Sequence, residues 1–248
     1  MAGKLAPHFE LPKRFYTIVS TAEVPGGFAV LLDGKPVKTP AGARLTAPTK
    51  ALAQLLADEW DAQTTHIDAA RMGAVRLAST AIDFVPQSHD AVAEEIARYA
   101  GSDALCYFAD GPETLVERQT VRWGAMLDWA ARDLGLAFVR VTGIGHKAQP
   151  AQTLERVAEL AGQEGDFVLA GLAHATALFG SAVLAFALQR GELDGDATHD
   201  LSRLDEAFQQ ERWGIDEEAA ERTANMLTEA RMLDAWFKAL RQGAPRAS

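Results

Sequence analysis

Residues 167–188 read FVLAGLAHATALFGSAVLAFAL, and this stretch decides which fold the chain can adopt. It contains no Asp, Glu, Lys or Arg and is long enough to cross a bilayer as one helix. Its many alanines, two glycines and hydroxyl side chains, however, keep its average apolarity modest. Gly180 followed by Ser181 is typical of a break between two helices, with the serine as an N-cap. We therefore predict two helices, over 167–178 and 181–190, buried on all sides in a helical bundle.

The sequence around this stretch divides into a β-rich beginning and a helical remainder. Short β-prone runs at 15–19 and 28–32 are bounded by glycine and proline turns. Apolar periodicity predicts further helices over 49–63, 71–85, 88–99, 113–134, 151–162, 196–213 and 217–240. The predicted fold class is α+β, a small N-terminal α/β domain with a short sheet followed by a larger all-α helical-bundle domain. The predicted boundary lies within 86–89, which gives domains of residues 1–86 and 87–248.

Composition and charge exclude several classes of protein. The chain has 248 residues and a net charge of −10. The segment from Glu192 to Asp234 alone holds 13 acidic and 4 basic residues. Such an acidic chain lacks the cationic surface that nucleic acids require, so we expect no nucleic-acid partner. The acidic segment is either a solvated helical face or a patch that steers a basic partner surface.

Local catalytic motifs are missing from the sequence. It has no P-loop, no Gly-x-Gly-x-x-Gly after a strand, no His-Glu-x-x-His and no Gly-x-Ser-x-Gly elbow. The single cysteine, Cys106, lies in an apolar run typical of a packing residue. His174, inside the uncharged stretch, is expected to be a hydrogen-bonded core histidine. We therefore expect no catalytic residue, no cofactor and no metal.

The segment Leu201–Trp213 calls for an explanation beyond core packing. On a helix, its apolar stripe is formed by Leu201, Leu204 and Phe208. The carboxylates that flank this stripe are Asp205 and Glu211. Arg212 falls near the stripe, two turns from Asp205, and this spacing predicts a shielded ion pair between them.

Four side chains of the same segment point away from that stripe: Glu206, Gln209, Gln210 and Trp213. A tryptophan beside a carboxylate and two amides is typical of a protein-binding anchor. The alternative is that Trp213 packs on a neighbouring helix, and the pattern leaves both interpretations open.

Several blocks of the sequence together resemble a known family. They are KRFY at 13–16, LLDGKPVKTP at 31–40, ADEWDAQ at 57–63, TAID at 80–83, RYAGSD at 98–103, LSRLDE at 201–206 and ERWG at 211–214. In this order they resemble the ATP synthase assembly factor two family, the "Atp twelve" chaperones of the F-type ATP synthase. The resemblance extends from about residue 13 to residue 240.

This resemblance implies a fold and a function. The family has a small N-terminal α/β domain and a helical C-terminal domain. Its members bind the free alpha subunit of the ATP synthase head, release it to the beta subunit and have no known catalysis. The family's important acidic residue maps onto Glu206, with Asp205 beside it, although 207–210 departs from the usual pattern.

The resulting expectation is a chaperone without stable membrane insertion, with the monomer as the favoured state. Its location would be the bacterial cytoplasm, or the mitochondrial matrix in a eukaryote. The expected partner-binding residues are Glu206, Asp205, Gln209, Gln210, Trp213 and Glu211.

Two other functions remain open at this stage. The first is an enzyme whose interdomain acidic site joins Asp205 and Glu206 to His146 or His199. The second is an inner-membrane component that inserts through 167–188.

Overall fold

The computed structural model describes residues 11–143, 145, 147–214 and 216–242. Its strands are β1 (Val19–Val24), β2 (Gly27–Leu32), β3 (Lys35–Pro36), β4 (Thr46–Ala47), β5 (Tyr107–Phe108) and β6 (Val141–Thr142). Its α-helices are α1 (Lys50–Asp61), α2 (Gly73–Asp83), α3 (Val85–Ala100), α4 (Glu113–Trp129), α5 (Ala151–Gly162), α6 (Asp166–Phe179), α7 (Ala182–Arg190), α8 (Gly195–Ser202), α9 (Leu204–Trp213) and α10 (Glu217–Arg241). A small sheet followed by a larger set of helices confirms the predicted α+β class.

The N-terminal sheet is built around β2, which pairs antiparallel with β1, β3 and β4. The strand predicted at 28–32 is confirmed, but the one predicted at 15–19 begins only at Val19. The Asp33 carboxylate accepts the backbone N–H groups of Thr17 and Ile18, at 3.0 and 2.8 Å. These two donors are therefore satisfied by a side chain and not by a partner strand.

Helix α3 passes through the segment predicted to separate the two domains. It begins at Val85 and ends at Ala100, with a kink at Ser88, where φ is −135° and ψ is 21°. Because the backbone of Ser88 is not helical, two helical segments meet at this residue, and the predicted helix start at residue 88 coincides with that junction. The division into domains at residue 86 stays a prediction.

The sheet region and the helical region pack on each other directly. The Thr49 hydroxyl donates a hydrogen bond of 2.9 Å to the Ala239 carbonyl of α10, and both residues are buried. Gly73, at the start of α2, lies against the side chain of Met232, where a Cβ would come within 3.3 Å. Both contacts attach the N-terminal helices to the second half of α10.

The uncharged stretch forms the two predicted helices, α6 and α7. Gly180 separates them with φ of +64°, and the Ser181 hydroxyl accepts the Leu184 N–H at 3.1 Å. All residues from Ser181 to Leu188 are buried. No helix of the described residues has the length and apolarity needed to cross a membrane.

Two helices near the C-terminus differ from their predictions. The helix predicted over 196–213 is divided into α8 and α9 at Arg203, where φ is −113° and ψ is 19°. The apolar periodicity of 217–240 predicts that Ala219, Thr223, Leu233 and Phe237 of α10 are buried. Leu233 and Phe237 are buried, but Ala219 and Thr223 in its first half are only half-buried. The reason is that the fully buried residues of α10 all lie in its second half, between Ala230 and Ala239.

Candidate functional site

Helix α9 is anchored on α4 and α8 by its apolar side. Leu204 and Phe208 are buried, and the guanidinium groups of Arg118 and Arg212 lie over the Phe208 ring, at 5.2 and 4.3 Å from its centre. The Trp123 indole N–H donates to the Leu201 carbonyl at 2.9 Å. These contacts fix which face of α9 is turned outward.

Asp205 belongs to the inner side of α9. Its carboxylate accepts a 2.7 Å hydrogen bond from the amide of Gln119, which is completely buried in α4. The Gln119 oxygen in turn accepts the Ala109 N–H at 2.8 Å. Partial burial raises the pKa of Asp205, while the bond from Gln119 counteracts part of that rise. Asp205 therefore helps to orient α9, and its role in binding a partner stays a prediction.

Glu211 is also engaged within the molecule. It forms two hydrogen bonds with Arg118, at 2.7 and 3.0 Å, and the bonds to this guanidinium lower the pKa of Glu211. The predicted ion pair between Arg212 and Asp205 is wrong. Arg212 instead donates to the Thr114 hydroxyl at 3.3 Å, because Asp205 is turned toward Gln119.

The other four predicted residues line a single open groove. We call Glu206, Gln209, Gln210 and Trp213 the Trp213 surface. The groove has a volume of about 410 Å³ and is also lined by Arg203, Gly214, Asp216, Ala219 and Arg222. The Trp213 side chain is 86% exposed, so the interpretation in which it packs on a neighbouring helix is wrong.

Cations that the sequence reading did not single out border the Trp213 surface. Arg203 lies 3.9 Å from Glu206, and Arg222 is hydrogen-bonded to Glu218 one turn away. Each of these arginines lies three or four residues from its glutamate, and this spacing is the sequence signal that could have identified both arginines. The groove therefore presents both charge signs within an otherwise acidic segment.

Other candidate residues have structural roles or lie elsewhere. Burial raises the pKa of Cys106, as expected for a packing residue. His174 is not a core residue: it is half-buried, with Nε2 at 2.8 Å from Glu229. Among the described ranges, no three His, Cys, Asp or Glu side chains are grouped as a metal site requires. His146 lies outside the described residues, and Asp205 faces α4, not an interdomain cleft.

Comparisons with known proteins agree on one family, and the structural matches extend over nearly the whole chain. A family model described as the ATP12 chaperone protein matches residues 13–131. Protein atp12, mitochondrial, of Schizosaccharomyces pombe is 26% identical over 224 residues, covering 84% of this chain and 76% of that protein.

Two crystal structures share the fold. Atp12 of Paracoccus denitrificans is 38% identical with a TM-score of 0.85, and the match covers 92% of this chain and 98% of that one. The Atu1473 protein of Agrobacterium tumefaciens is 46% identical with a TM-score of 0.87, covering 93% and 87%.

The small sheet region packed on a larger helical region, together with these matches, places the chain among the chaperones. The chain belongs to the ATP12 chaperone family.

Proposed function

We propose that this protein is an assembly chaperone of the F-type ATP synthase that binds the free alpha subunit and releases it to the beta subunit. Membership of the ATP12 family supports the general role. The alpha subunit, as the specific client, comes from the sequence resemblance. The site of action would be the bacterial cytoplasm, or the mitochondrial matrix in a eukaryotic cell.

The observation that carries the proposal is the exposure of Trp213. A side chain of this size left 86% exposed gives the folded monomer little packing energy. Tryptophan is enriched among the residues that dominate protein–protein binding energy. Gln209 and Gln210 lie beside it in the same groove and supply oriented donors and acceptors. Together they form a contact with a large apolar anchor and a polar border.

The mixed polar and apolar composition of this groove also suits a contact that must later be released. An unassembled subunit exposes apolar surface meant for its neighbour, and such surface promotes aggregation. A chaperone must cover that surface and then yield to the true partner, so its affinity has to lie below that of the alpha–beta contact. A mixed-charge groove with one tryptophan anchor meets this requirement. The acidic residues around it would speed the encounter with a basic client surface.

The proposal is tested by binding purified alpha subunit to the full chain. We expect the wild type to form a complex and Trp213→Ala and Glu206→Lys each to weaken it at least about tenfold. Glu155→Lys makes the same charge change at an exposed position of α5 and should bind like the wild type. Added beta subunit should displace the chaperone from the wild-type complex.

Two results would count against the proposal. If the wild type does not bind the alpha subunit, the client is wrong. If the wild type binds and both Trp213→Ala and Glu206→Lys bind equally well, the Trp213 surface is not the contact.

A further inference from the structure

A second, smaller cleft lies beside the Trp213 surface and is lined by three arginines. The cleft has a volume of about 240 Å³ and is formed by residues of α4, α8, α9 and α10. We call it the arginine cleft and define it by Arg118, Arg122, Arg203 and His199. It shares Arg203 and Gln210 with the groove of the Trp213 surface, so the two are continuous.

The positive charge of this cleft is only partly neutralised within the chain. Glu211 is fully engaged with Arg118 through two hydrogen bonds. Arg203 reaches Glu206 only at 3.9 Å, which is too long for a strong hydrogen bond. Arg122 is exposed and has no ion-pair or hydrogen-bond partner among the described residues.

His199 forms part of the wall of the cleft and adds an unsatisfied polar atom. The residue is only 6% exposed, and its Nε2 has no hydrogen-bond partner in the described part of the chain. Its other ring nitrogen lies 3.3 Å from the carboxylate of Asp200. A buried polar atom without a partner is costly. Because the His199 residue lines the cleft, its ring should respond to a ligand bound there.

We propose that the arginine cleft binds a carboxylate of the client protein, either an Asp or Glu side chain or a chain terminus. Guanidinium groups bind carboxylates through paired, charge-assisted hydrogen bonds, and Arg122 and Arg203 are the two with this capacity free. The small volume admits one acidic side chain and excludes a folded element. This inference rests on the proposed function, because the client is the protein seated on the adjoining Trp213 surface.

A carboxylate pocket would add specificity to the contact. The surrounding segment is strongly acidic and repels acidic surfaces in general. A client must then present basic groups to that segment and one acidic group at the position of the cleft. Few surfaces combine the two, so the arrangement selects against other partners.

The first test measures alpha-subunit binding by Arg122→Gln in the full chain. We expect the variant to bind about 10- to 100-fold more weakly than the wild type. Arg122→Lys should recover only part of the affinity, since it keeps the charge and loses the paired donors. Arg132→Gln is the matched control, since Arg132 is exposed, is hydrogen-bonded to Asp133 and lies outside both surfaces. Thermal unfolding of each variant checks that the fold is kept.

The second test needs no client. The His199 ring is observed by NMR while the protein is titrated with sodium glutarate, with inorganic phosphate, or with sodium chloride at the same ionic strength. We expect a saturable shift with glutarate in the wild type that Arg122→Gln loses, and no saturable shift with chloride. A shift with phosphate alone would overturn the assignment of the ligand as a carboxylate.

The two tests separate this inference from the proposed function. If the wild type binds the alpha subunit, Arg122→Gln binds it equally well and glutarate has no effect, the cleft is not a carboxylate site and the proposed function stands. If the wild type does not bind the alpha subunit, the proposed function fails. The glutarate titration then decides by itself whether the cleft binds a carboxylate.

Discussion

The start of helix α7 and the outer face of helix α9 use their polar side chains in opposite ways. At α7, the completely buried Asp103 carboxylate accepts the N–H groups of Leu105 and Val183, at 3.1 and 3.2 Å. On α9, Glu206 and Trp213 are exposed to solvent. The first site uses its polar groups to hold the fold, and the second leaves them exposed, where the proposed partner would reach them. Exposure and existing hydrogen bonds, more than residue type, therefore separate structural carboxylates from candidate binding ones.

Asp103→Ala gives the largest expected loss of stability. It leaves the N–H groups of Leu105 and Val183 buried without an acceptor, beside a cavity. We expect the free energy of unfolding to fall by about 3 kcal/mol. Urea unfolding followed by circular dichroism measures this change. The control, Asp103→Asn, keeps the shape and one acceptor oxygen. A loss below about 1 kcal/mol in the alanine variant would mean that this carboxylate does not hold α7 in place.

The pH dependence of stability isolates the charge of Asp103. Burial raises the pKa of this carboxyl to about 6, although hydrogen bonds from Ser181, Val183 and Leu105 lower it in part. The folded state therefore holds a proton that the unfolded state has released. The resulting stabilisation is complete below about pH 4 and disappears as the pH rises through about 6.

Asp103→Asn cannot titrate at this position and supplies the reference. The difference in the free energy of unfolding between wild type and Asp103→Asn should shift against the wild type by up to about 3 kcal/mol between pH 4 and pH 7.5. Other carboxyls with raised pKa values, such as Glu59 and Glu164, contribute equally to both proteins and cancel. A difference that stays constant over this range would contradict the raised pKa.

Gln119→Leu tests the structure that connects the core to the α9 face. The substitution removes the donor to Asp205 and the acceptor of the Ala109 N–H, so we expect a loss of about 2 kcal/mol in the free energy of unfolding. Asp205→Asn retains an oxygen that can accept from Gln119 and should cost less than about 1 kcal/mol. If both variants lose the same free energy of unfolding, the negative charge of Asp205 matters more than the hydrogen bond from Gln119 that orients it.

Local sequence signals predicted the fold better than they predicted the site. The break at Gly180 and Ser181 could be predicted because a left-handed glycine and a serine cap act within a few residues. The break at Arg203 has no such signal. The family resemblance identified Glu206, and helical periodicity placed it on the outer face of α9 together with Trp213.

What the sequence could not predict depends on distant parts of the chain. The pairing of Glu211 with Arg118 joins residues 93 positions apart, and that of Asp205 with Gln119 joins residues 86 apart. These contacts engage the carboxylates of two of the six predicted binding residues within the chain, although Glu211 stays exposed. Helical periodicity predicts the face of the helix on which a side chain lies, but it does not predict which residues of a neighbouring element contact that face.

Of all these changes, Trp213→Ala should have the smallest effect on stability. It tests directly whether the outer face of α9 differs from the buried site of Asp103. Its side chain is 86% exposed, so we expect the free energy of unfolding to change by no more than about 0.5 kcal/mol. The same substitution should weaken binding of the alpha subunit at least about tenfold, or about 1.4 kcal/mol, if Trp213 anchors the contact. Asp103→Asn should show the reverse pattern, with altered stability at neutral pH and unchanged affinity for the alpha subunit. If Trp213→Ala instead lowers the free energy of unfolding by about 2 kcal/mol, the Trp213 ring packs on the chain in solution. The outer face of α9 then has a structural role, like the buried site of Asp103.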